Sequence, residues 1–470
     1  MKRFVISAIL LMSAAVLANS QTRTSYFVRN STQSHNFNAA FVPDQGYVGF
    51  PLLSGFDINM GSNLGTKAIL YPLDNGKTGL FLNNQVSSEQ FLQNIRKNNY
   101  LDMHFGYELI NAGWFTGKDS FWTLSIGAKV DVETSLPREF FRLLKDGMYA
   151  NPSTYSIENF GFGAGVYGQI ALGYSRGLDN LVEGLRVGGK VKFLVSMADV
   201  EMNVEKLDLT LGSDRWSAVS RATASVMGGG VAVGYDDDGY LNSINFDPST
   251  LGVGGFGAAF DLGVEYVLSE DTPVDGMRFS LSVTDLGFIS YNKNRATVLS
   301  SNEEIAFEGF DGISIDGTGT SDFMDEIMNM AALKNEAADK NQVRRLAATL
   351  YAGVDYPFLD DKMNVGLLYS ARFGRFYTEN ELTLAWNYSP VRSFNIALSY
   401  SLLKTHSTMG WLITYVPKRG IGVFLGSDYT PLNYTAFQFD GFKLPVPARE
   451  CIFDVNFGLT ISLGGSNRRY

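Results

Sequence analysis

The chain has 470 residues and a formal charge of −10. That acidity disfavours nucleic acid as a partner, and the lone Cys451 excludes an internal disulfide and CxxC chemistry. Beyond residue 20 there is no run of eighteen consecutive apolar residues, which excludes a helical inner-membrane protein.

Residues 1–20 read as a secretory signal peptide. Lys2 and Arg3 form the charged start, 4–17 the short apolar core, and Ala18-Asn-Ser20 the small residues before cleavage. The mature chain is then expected to begin at Gln21, and loss of the two cations takes the charge from −10 to −12. Export leaves the periplasm, the outer membrane or the exterior. Residues 21–45 hold Tyr26, Phe27, Phe37 and Phe41 among polar residues but no long alternating stretch.

From residue 46 onward the sequence alternates. About fourteen segments put apolar residues on one face and small or polar ones on the other, the period of a strand. They are 48–60, 101–109, 122–132, 162–174, 185–197, 260–268, 277–291, 346–356, 365–371, 382–388, 394–402, 409–416, 421–428 and 451–463. In the last, Val455, Phe457, Leu459 and Ile461 oppose Asp454, Asn456, Gly458, Thr460 and Ser462. The connections alternate between short turns rich in Gly, Pro, Asp and Asn and a second set that is often long. This is the pattern of an all-β protein, a transmembrane antiparallel β-barrel over 46–470 with short periplasmic turns and long outer loops. An outer-membrane location follows, with membrane lipid and, during biogenesis, the barrel-assembly machinery as partners. Pro51 weakens the first strand. Tyr174, Tyr266, Tyr356, Tyr388 and Tyr415 each fall on the apolar face beside a short turn, where a ring sits well at the membrane–water boundary. The alternative is that Tyr is simply common in strands.

Three stretches have helical spacing: 85–98, 136–147 with Pro137 early and Gly147 after the end, and 321–342 with a capping Ser321. All fall in outer loops, either over the pore mouth or packed on the rim. Before the first strand, 21–45 is placed to enter the barrel from the periplasmic side as a plug, with Phe37, Asn38 and Phe41 as candidate plug residues; a disordered periplasmic tail is the alternative.

Few residues point to chemistry. Gly163-Ala-Gly-Val-Tyr-Gly168 matches GxGxxG but lies inside a strand with no helix after it, so close packing of a barrel strand is the better reading. Asp236-Asp-Asp-Gly239 lacks the further ligands of a calcium loop. Asp102 and His104 share the polar face of the second strand, either as an acid–base pair at the barrel mouth or as a hydrated lumen pair. No metal, cofactor or catalytic set is expected, and the chain is not read as an enzyme. The lumen charges carry more. Arg186, Lys190 and Lys192 line the fifth strand, and Asp261 and Glu265 the sixth. Opposite charges on neighbouring strands suit either structural cross-linking of a wet interior or binding of a ligand head group.

Asn36-Phe-Asn-Ala-Ala-Phe-Val-Pro43 resembles the Asn-Pro-Ala segment that opens FadL-like outer-membrane proteins. Val283-Thr-Asp-Leu-Gly-Phe288, Ala259-Phe-Asp-Leu-Gly-Val264, Lys190-Val-Lys-Phe-Leu-Val195, Ser135-Leu-Pro-Arg-Glu-Phe-Phe141 and Gly426-Ser-Asp-Tyr429 are similar to phrases of a Bacteroidota family of unknown function with such barrels. The resemblance implies fourteen strands, an N-terminal lumen plug and passage of a hydrophobic or amphipathic small molecule. Ala39 stands where the usual Pro would be. The other function open to such a barrel is a non-transporting scaffold that binds a partner at the cell surface or in secretion.

Overall fold

The computed structural model describes residues 23–464 apart from 75–77, 118, 214, 236–238, 247, 251, 270–273, 308–332, 337–339, 403–407, 432–433, 440–441 and 449–450. The signal-peptide reading and the Asp236 loop therefore lie outside the described residues.

Among the described residues, fourteen antiparallel strands close on themselves. In chain order they are β1 (Gly46–Gly49 and Gly55–Ser62), β2 (Leu101–Thr116), β3 (Ser120–Pro137), β4 (Ser153–Gly177), β5 (Leu185–Leu211), β6 (Gly255–Val267), β7 (Arg278–Tyr291), β8 (Thr349–Phe358), β9 (Met363–Phe373), β10 (Thr378–Val391), β11 (Phe394–Ser401), β12 (Thr408–Tyr415), β13 (Gly420–Pro431) and β14 (Cys451–Gly464). Each pairs with its sequence neighbour, and β14 returns to β1 with Val48 opposite Ile461 and Ile58 opposite Val455. Closure removes the sheet edge, the condition for crossing lipid with strands. No described helix is long and apolar enough to cross a membrane.

Alternation decides which side faces lipid. Leu262, Leu281, Val191, Phe193, Leu384 and Ile413 stand exposed on the outer surface. Their neighbours in sequence, such as Asp261, Ser280, Ser282, Lys190, Lys192 and Thr414, are buried on the lumen side. At the short-turn end Tyr174, Tyr356 and Tyr415 are exposed, and Tyr266 and Tyr388 are half-exposed. Trp122 packs on Tyr174 at 4.7 Å between ring centroids, extending that ring of aromatics.

Three details depart from the sequence reading. First, β1 is interrupted where Pro51 cannot donate to the ladder. Residues 50–53 bow outward between the amide of Phe50, which donates to Leu459 O at 2.8 Å, and Leu53 O, which accepts from the Leu459 amide at 2.9 Å. Second, β4 and β5 run far past the membrane band, to 25 and 27 residues. Trp216–Gly228 pairs with the outer half of β5 and with Ala296–Phe307. This outer sheet buries Tyr155, Ile157, Leu207, Leu209, Leu241 and Leu299, and the helix Arg138–Asp146 packs Phe140 and Leu143 against it. Period-2 alternation looks the same in a membrane strand and in a solvated strand with its own core, so the pattern did not show where the membrane ends. Third, the helix expected over 85–98 shrinks to Ser88–Leu92. That expected over 321–342 gives way at its end to the strand Lys334–Glu336, which pairs with Val298–Ser300, while 321–332 lies outside the described residues. Tertiary strand pairing there overrides helical spacing.

Candidate lumenal site

Residues 23–45 lie inside the barrel. They form two short 3-10 turns, Arg23–Ser25 and Ser34–Asn36, and almost every side chain is buried. A chain segment enclosed this way must find partners for its backbone. Phe27 O accepts from Asn364 at 3.1 Å and Arg278 at 3.4 Å, Phe37 O from Ser282 at 2.7 Å, and Ala40 O from Ser175 at 3.2 Å. These four donors belong to three strands, β4, β7 and β9, near the short-turn end, so the segment fills that end of the lumen.

The segment also brings an apolar core into a polar lumen. Tyr26, Phe27, Phe37 and Phe41 pack with Tyr351, Leu368 and Ala385 of the wall, and the Tyr26 ring lies 5.0 to 5.9 Å from Phe27, Phe41, Phe37 and Tyr351. Asn38 donates to Val264 O at 3.1 Å, and its Oδ1 accepts from the Ala40 amide at 2.9 Å, turning the chain at the place where Ala39 replaces the expected Pro. This turn presses on glycine. A Cβ on Gly263 would fall 1.9 Å from Asn38 Oδ1, and one on Gly188 would fall 2.0 Å from Ala39 O.

The charged residues singled out from sequence divide between two tasks. Lys190 and Asp261 are register partners on β5 and β6, yet they stand 3.9 Å apart. Lys190 spends its donors on the N-terminal segment: His35 Nδ1 at 3.1 Å, His35 O at 3.2 Å and Asn36 Oδ1 at 3.1 Å. Lys192 bridges Asp261 and Asp285, each at 2.7 Å. Arg186 and Glu265 are also register partners, but Arg186 donates to Asp119 O and Ser175 Oγ, and Glu265 takes Arg278 at 3.2 Å, which also holds Asp355 at 2.6 Å. Asp102 and His104 do not pair. Asp102 accepts from the Tyr377 hydroxyl, and His104 Nδ1 meets Asp131 at 2.7 Å.

His35 ties the segment to the wall on two sides. Lys190 donates to its Nδ1, so Nε2 carries the proton and donates to the Tyr47 hydroxyl at 2.6 Å, which in turn donates to Asn111 at 3.0 Å. Burial, with the Lys190 ammonium added, holds the His35 imidazole well below its usual pKa, so it is neutral.

Above the segment lies a cavity of ≈ 220 Å³. Acidic residues of β1, β2, β13 and β14 (Asp57, Asp102, Asp428, Asp454) line one side, and across from them Tyr167, Ile289, Tyr291, Leu346 and Tyr351 stand among Lys129, Lys192, Asp285 and Arg372. Two arginines close its outer part. Arg344 and Arg375 both grip Asp199 and Glu201, at 2.5 to 3.4 Å. Sequence reasoning missed this pair because both arginines leave loop-like stretches between strands. A trace of it was present in the glycines of β4: a Cβ on Gly163 or Gly165 would fall 2.8 Å from the Arg375 side chain. The GxGxxG match is thus a groove for an arginine.

Residues 39–428 match the family described as "Family of unknown function (DUF5723)". The chain belongs to that family. The fourteen strands of this DUF5723 protein are the number that the resemblance of its sequence phrases implies. Solved structures similar to it include the CymD monoaromatic hydrocarbon channel (TM-score 0.39, 11% identity, 96% of each chain covered). Two others are a TodX deltaS2S3 mutant monoaromatic hydrocarbon channel (0.38, 9%, 95% of each) and the Pseudomonas putida toluene transporter TodX (0.29, 9%, 96% of this chain and 95% of that one). No curated protein matches the chain.

Proposed function

We propose that this protein is an outer-membrane barrel that holds an amphipathic small molecule in its lumen and passes it across or into the membrane, without enzymatic chemistry. One observation carries the reading: the cavity lining mixes charged groups such as Asp57, Lys129, Lys192 and Arg372 with Phe105, Tyr167, Ile289, Tyr291 and Leu346, above a floor formed by residues 23–45. A purely hydrophobic cargo would leave Asp57, Asp428 and Asp454 facing apolar surface, which costs free energy unless those groups find partners. A cargo with a polar end and an apolar end fits a lining of both kinds. Release sideways is supported by the interruption of β1, where Leu52 is 62% exposed with φ at 64° and residues 50–53 replace regular pairing. The test is native mass spectrometry of protein extracted in a non-ionic detergent. An amphiphile bound one to one is the expected result. Absence of any adduct, together with failure to retain added alkyl amphiphiles, overturns the reading.

A second reading has its own support. The sheet built by the outer halves of β4 and β5 has a complete core and an outward face bearing Glu158, Glu205, Lys206, Asp208 and Arg221. A surface-exposed folded unit of this kind suits a scaffold that binds a protein partner. Removing that unit while keeping the barrel would abolish partner capture under this reading and leave cargo binding untouched.

A further inference from the structure

The shortest outer connection of the barrel folds inward. Residues 374–377 join β9 to β10 in a single turn, closed by the Gly374 amide on Tyr377 O at 3.0 Å. β9 and β10 pair with β8 and β11, yet the turn reaches across the lumen to β2, β3, β4 and β5. Arg375 holds Asp199 and Glu201 of β5 at 2.5 to 3.4 Å. The Phe376 amide donates to Glu133 of β3 at 3.1 Å, and the Tyr377 hydroxyl donates to Asp102 of β2. Arg375, Asp199, Glu133 and Asp102 all line the cavity, so the turn lies over it.

The wall is shaped to receive this turn. Gly161, Gly163 and Gly165 stand on the lumen face of β4 at alternate positions. A Cβ on Gly161 would fall 2.6 Å from the Phe376 ring, and one on Gly163 or Gly165 would fall 2.8 Å from Arg375. Glycine weakens a strand unless another chain must come close, and here one does.

The bonding also permits release. Each carboxylate that the turn uses has a second donor belonging to the wall. Arg344, whose strand Gln342–Arg345 pairs with β7, holds Asp199 and Glu201 at 2.9 Å each. Glu133 keeps Arg372 of β9 at 3.4 Å, and Asp102 keeps the Thr134 amide at 3.3 Å. The turn can therefore lift away without orphaning a carboxylate, the event that makes breaking a buried polar contact costly. Among the described residues, neither Phe376 nor Tyr377 joins a buried apolar cluster that would hold the turn down.

We propose that residues 374–377 are a hinged strap over the mouth of the cavity, latched by Arg375 in its glycine groove, and that release of this latch opens the cavity to the outside. The short-turn end is filled by residues 23–45, so the mouth beneath the strap is the way in. The strap is a property of the barrel and stands whatever the cavity holds.

The test measures access to the cavity. Gln169 lines it, and its Oε1 has no hydrogen-bond partner, so Gln169→Cys in a Cys451→Ser background places one thiol below the strap. Full-length protein in nanodiscs is treated with a membrane-impermeant quaternary-ammonium methanethiosulfonate, and the labelling rate is followed by mass spectrometry. Labelling should be slow beside that of Glu158→Cys on the outer surface. Arg375→Ala, which removes the latch, and Gly163→Val, which fills its groove, should each raise the rate roughly tenfold or more, the scale set by loss of a charge-assisted contact. High salt should speed labelling when Arg375 is present and leave Arg375→Ala unchanged. Heat-modifiable migration on gels shows that each variant is folded. Labelling of Gln169→Cys as fast as Glu158→Cys with the latch intact overturns the closed mouth. A rate that neither Arg375→Ala nor Gly163→Val raises overturns the strap.

Discussion

Replacing Tyr26 by Ala should unseat the N-terminal segment. The ring is fully buried, within 6 Å of four other aromatic centroids, and its hydroxyl lies 3.1 Å from Ser280 Oγ. Truncating a buried aromatic costs ~3–5 kcal/mol. Ser280 keeps its bond to Gly353 O at 3.3 Å, so little is added for an orphaned hydroxyl. A loss of ~4 kcal/mol is roughly a thousandfold shift of the seating equilibrium, at about 1.4 kcal/mol per tenfold. The polar anchors at Arg23, His35 and Asn38 remain, so the segment should leave and return rather than stay out. Single-channel recording in planar bilayers reads this directly. Deleting residues 23–38 should give a steady, higher conductance that defines the open level. Tyr26→Ala should flicker towards that level, and Tyr26→Phe, which keeps the ring, should behave as the wild type. If the deletion variant inserts, shows its heat-modifiable band and conducts no better than the wild type, residues 23–38 do not seal the lumen.

Further outcomes follow from the same geometry. Gly263→Val would drive a Cβ into Asn38 Oδ1, so it should raise small-solute leakage from liposomes at least tenfold in a barrel that still folds. Leu281→Lys on the exposed outer surface of β7 should cost ~2–4 kcal/mol of stability in liposome unfolding. Val219→Lys, equally exposed but on the solvated outer sheet, should stay within ~0.5 kcal/mol, and equal losses would place the membrane boundary wrongly. Acid should loosen the segment through His35. Its folded pKa is lowered, so once the pH falls below the ordinary value near 6.5 the released form binds more protons and seating weakens, by at most ~1.4 kcal/mol per pH unit. Leakage should therefore rise between pH 7 and pH 5 in the wild type, and His35→Gln should flatten that rise.

The sequence shows the barrel because a strand that faces lipid on one side and water on the other writes its environment into every second residue. Residues 453–463 do so without exception, and all fourteen alternating segments became wall strands. What alternation does not encode is depth. The outer half of β5, from Ala198 to Leu211, also alternates, with one slip of phase at Glu205 and Lys206, but Leu207 and Leu209 bury against Tyr155 and Leu299 rather than lipid. The lumen charges were legible as residues and not as partners. Register alone pairs Lys190 with Asp261 and Arg186 with Glu265. Those pairings assume an empty lumen, and residues 23–45 occupy it. Lys190 turns to His35, and Arg278 takes Glu265 and reaches Phe27 O.

The same occupancy explains which glycines matter. Gly188 and Gly263 sit on neighbouring strands, opposite one another in register, and both clear space for the Asn38–Ala39 turn. In a strand a glycine sacrifices packing and ordering free energy, so two facing glycines need something to offset them. Here it is the close approach of the N-terminal chain, which gains the Asn38 bond to Val264 O and the burial of Phe37 and Phe41. The acidic wall follows the opposite logic. Asp57 and Asp454 line a space that the N-terminal segment does not fill. Where the barrel meets its own chain it is complementary down to single Cβ atoms, and the cavity is the part of the lumen that its own chain leaves open.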